Sequence, residues 1–95
     1  MSAFRIESDL WADPRMICLP GEASRLWVMA GSWAAGHDTD GFIPAEVVPR
    51  LGVYAGVRDL LRHGLWEKAN GGYRIVDWYP EDATPELRLI VGGAR

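Results

Sequence analysis

Six side chains in the second half of the chain have the chemistry to grip a polyanion: Arg50, Tyr54, Arg58, Arg62, Lys68 and Arg74. Guanidinium and ammonium groups neutralise phosphates, and arginine forks also pair with the edge of guanine. Arg58 and Arg62 are four positions apart, which sets them one turn apart on a helix face. Tyr54 offers a ring to a sugar or base, and serves equally as an apolar staple over a turn. Between Arg50 and Arg74 the acids are Asp59 and Glu67, a local balance of +3 in a chain whose net charge is -3. The rest of the chain therefore carries -6. Affinity for a duplex grows with the number of phosphates neutralised, so three to five cations predict weak binding by one domain. Charges on a helix are as often a solvated face, and that reading stands beside the first.

Other chemistries find less support. Cys18, His37 and His63 do not fall at a zinc-ligand spacing. Asp38-Thr39-Asp40-Gly41 resembles the opening of a calcium loop, yet its glycine comes too early and no ligating glutamate follows at the twelfth position. It reads better as a turn cluster. The glycine pairs at 71 and 92 lack the Lys-Ser/Thr and helix start of a phosphate loop. Cys18 lies in the apolar run Met16-Ile17-Cys18-Leu19, which predicts a buried, inert thiol. Trp27, Trp33, Trp66 and Trp78 fall at core periodicities and read as packing residues. No catalytic arrangement, metal or cofactor is expected.

At 95 residues with 48% hydrophobic content and five tryptophans, the chain suits one folded domain. One cysteine excludes an internal disulfide, and the mixed charges of residues 1–15 form neither a signal peptide nor a membrane span. A cytoplasmic location is the expectation.

The elements that must position the six residues can be read from periodicity and breakers. Residues 4–7 alternate like a short strand. Asp13-Pro14 starts a brief helix that Pro20-Gly21 ends. From Glu22 to Ala35, apolar residues at Ala23, Leu26, Trp27, Ala30, Trp33 and Ala34 draw one stripe down a scaffold helix. Gly36 is its natural terminator, and Gly31 within it predicts the close approach of a neighbouring backbone. Phe42-Ile43 is long enough for one bridge of a strand. Pro44 opens a helix through about Arg50 with Val47, Val48 and Leu51 inward, Leu51-Gly52-Val53 turns, and a third helix runs from about Tyr54 to His63 until Gly64. Leu65 to Ala69 and Tyr73 to Tyr79 are strand-like runs joined by Asn70-Gly71-Gly72. Asn-Gly is the strongest short hairpin signal, through a type I′ turn with positive φ at both central residues. Residues 84–91 read either as one helical turn or as a strand.

The resulting expectation is an α+β winged helix-turn-helix, three to four short helices plus a C-terminal β-hairpin wing, over residues 1–80, with a short tail at 81–95. The wording of several segments adds to it: FRIESDLWADPR, RLWVMAGSWAA, TDGFIPAEVV and LLRHGLWEKANGGYRIVDW. These resemble small winged-helix proteins of actinobacterial phages and prophages, which look like the N-terminal domain of replisome-organiser or replication-initiation proteins. The resemblance implies a non-catalytic DNA-binding protein acting in replication or its regulation inside the bacterial host cell, with Arg58 and Arg62 on the reading helix. Double-stranded DNA is the expected partner, and a homodimer would raise the affinity. The alternative is a module that uses the same fold to bind a host or phage protein.

Overall fold

The computed structural model describes residues 4–78. Four helices, α1 (Pro14–Ile17), α2 (Gly21–His37), α3 (Val48–Leu51) and α4 (Gly56–Arg62), combine with three strands, β1 (Phe42–Pro44), β2 (Trp66–Ala69) and β3 (Gly72–Ile75). Single turns of 3-10 helix occupy Leu10–Ala12 and Ala45–Val47. The sheet is antiparallel in the order β1-β3-β2, so the last strand lies in the middle. The class is α+β.

α2 is the scaffold, and its stripe is the expected one. Ala23, Leu26, Trp27, Ala30 and Ala34 are buried, and Trp33 is half-buried against the core. The alanines keep this face thin, which lets α4 approach: a Cβ at Gly56 would stand 3.1 Å from the Cα of Ala23. The core closes over α2 with Val48, Leu51, Val57 and Leu60 from the short helices and Ile43, Trp66 and Ile75 from the sheet. Each fully buried Leu, Ile or Val contributes about 1.5–3 kcal/mol through apolar burial.

Several boundaries differ from the sequence expectation, each for a local reason. Residues 4–7 form no strand. Phe4 instead lays its ring over α2, edge-on to Trp27 at 5.0 Å and stacked on Trp78 at 5.8 Å. That ring, and no backbone, fills the space beside Gly31, where a Cβ would overlap it. α2 runs through Gly36 to His37, and Asp38 ends it in the left-handed conformation, φ 53°, with its N–H donating to the carbonyls of Ala34 and Ala35. Asp13 does cap α1, accepting from the Arg15 backbone N–H at 2.9 Å. Cys18 is exposed, because α1 stops at Ile17 and directs Met16 and Leu19 inward instead.

The single helix expected over 44–50 is replaced by three pieces. Pro44 is the last residue of β1, paired with Gly72, and the Ala45 N–H donates to the Gly71 carbonyl. Pro49 then lacks the N–H that a continuous α-helix would donate to residue 45, so a 3-10 turn precedes α3. α4 begins two residues later than Tyr54, which stays in the turn. The hairpin is present with a two-residue loop, Ala69 pairing with Gly72. Its turn is not type I′: Gly71 has φ 85°, whereas Asn70 is not among the positive-φ residues. A positive φ at the second central position alone is the type II pattern, which favours glycine there. β3 ends at Ile75 rather than reaching Tyr79, and the expected tail at 81–95, with its helix-or-strand choice, lies outside the described residues.

Candidate nucleic-acid interface

Arg50 leaves the end of α3, and Arg58 and Arg62 project from α4; all three are exposed. The inward side of α4 is Val57 and Leu60, both buried, so packing against α2 forces the arginines outward. Asp59 lies between them, half-exposed. Tyr54 sits in the turn before α4, with 52% of its surface exposed. Among the described residues, Arg50, Arg58, Arg62 and Lys68 enter no ion pair and no side-chain hydrogen bond. Cations left unpaired at a surface keep their full charge for an external anion.

Register divides the hairpin's two cations. Lys68 pairs with Tyr73, and Tyr73 with Ile43, so these three share one face of the sheet. Arg74 pairs with Phe42 and Glu67 on the opposite face. Its guanidinium donates to the Asp40 carbonyl at 3.2 Å, and it is half-buried. Of the six residues singled out by type, Arg74 therefore belongs to a different surface from Lys68 and holds the β1 approach instead.

Tyr73 was not among those six, and the geometry brings it to the site. Its hydroxyl lies 2.8 Å from that of Tyr54, joining the α3–α4 turn to the central strand. Its ring packs on Trp66 at 5.5 Å. The hydrogen bond with Tyr54, then burial and the nearby Tyr54 group, raise the Tyr73 pKa above its ordinary value of 10.0, so the hydroxyl keeps its proton. A sequence signal for this neighbour existed: a two-residue Asn70-Gly71 loop fixes Lys68 opposite Tyr73.

On another side, residues 6–17 surround an open apolar hollow of about 430 Å³ lined by Ile6, Leu10, Trp11, Met16 and Ile17. Trp11 is 81% exposed at its rim. Arg15 grips Asp13 through two hydrogen bonds, 2.9 and 3.2 Å, and reaches Asp77 at 3.3 Å, tying this arm to the chain beyond β3. No group of three or more His, Cys, Asp or Glu that could hold a metal occurs among the described residues. Nor is any described helix long and apolar enough to cross a membrane.

Comparison with known protein families, with curated proteins and with solved structures gives no match for this chain.

Proposed function

We propose that this chain is a winged helix-turn-helix protein that binds double-stranded DNA without catalysing a reaction. In this reading α3 and α4 are the helix pair, α4 enters the major groove, and the β2–β3 hairpin is the wing. The observation that carries it is the placement of Arg50, Arg58, Arg62 and Lys68, exposed and unpaired, on those elements. The order helix, strand, two helices, then a hairpin whose last strand pairs with β1, supports the finer fold assignment. The resemblance of the quoted segments to phage and prophage winged helices supports a role in phage DNA replication or its regulation, within the bacterial cytoplasm. Two copies of the chain on one duplex would double the phosphate contacts that one domain offers.

Fluorescence anisotropy with a labelled duplex across about 25 to 200 mM salt tests this. Removing two phosphate-contacting cations in Arg58→Ala/Arg62→Ala is expected to lower the slope of log K against log salt by about two. An unchanged slope, or no wild-type binding at the lowest salt, refutes the assignment.

A second reading, a module for binding a host or phage protein, is favoured by the hollow around Trp11 with Ile6 and Ile17 exposed beside it. Large exposed apolar groups in one patch mark interaction sites. Under that reading the Arg58→Ala/Arg62→Ala variant behaves as wild type toward its partner, and Trp11→Ala does not.

A further inference from the structure

Two tyrosine hydroxyls in contact leave a donor unspent. Tyr54 Oη and Tyr73 Oη are 2.8 Å apart, and one proton suffices for the bond between them. The hydroxyl that accepts still carries its own O–H, which meets no other acceptor among the described residues. The pair is open to solvent on the Tyr54 side. Directly across the hairpin from Tyr73 stands Lys68, exposed and unpaired. Opposite residues of an antiparallel pair hold their Cβ atoms about 4.5–5.5 Å apart, so the Lys68 side chain leaves the sheet beside that of Tyr73. The acid of β2, Glu67, points to the other face with Arg74. One face thus presents a free O–H and a cation with no competing carboxylate from the hairpin.

We propose that Tyr54, Tyr73 and Lys68 form a seat for a phosphate group, which in the reading above is a phosphodiester of the DNA backbone. A phosphate oxygen accepts from the free hydroxyl while the ammonium supplies point-charge attraction, the usual division of labour between a neutral donor and lysine. The contact spans the turn before α4 and the central strand, so one phosphate fastens helix and hairpin to the same stretch of backbone. Phosphate contacts of this kind set register and carry no sequence information. This seat rests on the DNA-binding reading for the source of its phosphate, and its chemistry can be tried apart from it.

The test combines duplex binding by Tyr54→Phe, Tyr73→Phe, their double variant and Lys68→Ala with a pyrophosphate titration of the 15N-labelled wild type. The Tyr54→Phe/Tyr73→Phe double variant, which removes both donors, is expected to keep its thermal midpoint within a few degrees and to lose roughly five- to tenfold in duplex affinity at fixed salt, whereas the surviving hydroxyl of each single variant still offers a free O–H and retains part of that affinity. Because a neutral hydroxyl releases no counterion, its salt slope stays at the wild-type value, whereas Lys68→Ala lowers it by about one. Pyrophosphate is expected to shift the amide signals of residues 54, 68 and 73. Duplex binding by the Tyr54→Phe/Tyr73→Phe variant equal to wild type overturns the seat while leaving the DNA reading standing. Pyrophosphate shifts at these residues without any duplex binding leave the seat and overturn its DNA source. No pyrophosphate shifts and no effect of the variants overturn it outright.

Discussion

Lys68 and Arg74 differ little by type and lie six positions apart, yet the pleat sends them to opposite sides of the sheet. Lys68 looks out beside Tyr73, while Arg74 spends its guanidinium on the Asp40 carbonyl. A local charge count treats the two alike; register puts one on the Tyr73 face of the sheet and the other on the Phe42 and Glu67 face. Tyr73 carries a prediction of its own. Its folded pKa is raised by the hydrogen bond with Tyr54, so the stability this bond provides is fully present below the ordinary value of 10.0. It is lost as pH climbs through the higher folded value, when the phenolate forms. Thermal midpoints measured from about pH 8 to pH 11 are expected to fall less steeply above pH 10 in Tyr73→Phe than in wild type. Parallel alkaline slopes would show that the hydroxyl pair does not stabilise the fold.

Among the elements, the hairpin depends on a single backbone conformation. Gly71 has φ 85°, and a Cβ there would meet only the Phe42 ring edge at 3.9 Å. The cost of Gly71→Ala is therefore conformational rather than steric, about 1–2 kcal/mol, the penalty of the left-handed region for an L-residue. Urea denaturation is expected to show that loss with the m-value unchanged; a neutral result would mean the turn relaxes to another type. The loop itself was legible in Asn70-Gly71, but its type was not, because Asn-Gly suits both type I′ and type II. The α2 stripe was legible for the reason periodicity is informative: a seventeen-residue helix repeats its pattern several times. Short pieces repeat nothing. Residues 4–7 alternate like a strand but join neither edge of the sheet, and Phe4 covers Trp27 and Trp78 instead. The segment from Pro44 to Leu51 reads as one helix until the missing N–H of Pro49 is counted.

Across the whole molecule, opposite characters occupy different surfaces. Four exposed, unpaired cations, Arg50, Arg58, Arg62 and Lys68, lie on α3, α4 and the hairpin and a further one, Arg25, on α2, whereas the apolar hollow around Trp11 belongs to the N-terminal arm. Composition hid the first by averaging it into a net charge of -3. It hid the second because Ile6, Trp11 and Ile17 look like core residues in a segment too short to show a face. The arm is fastened by Arg15 to Asp77 and by Phe4 to Trp78, so the two surfaces belong to one body with two distinct contact chemistries. A duplex and a protein partner would therefore mark different residues. The most direct measurement is a 15N-resolved titration of the chain with a short duplex at low salt. The largest shifts are expected on residues 50–62, 68 and 73, with Arg74 and residues 6–17 little changed. Shifts centred on Trp11, or none at any duplex concentration, would contradict the DNA-binding reading.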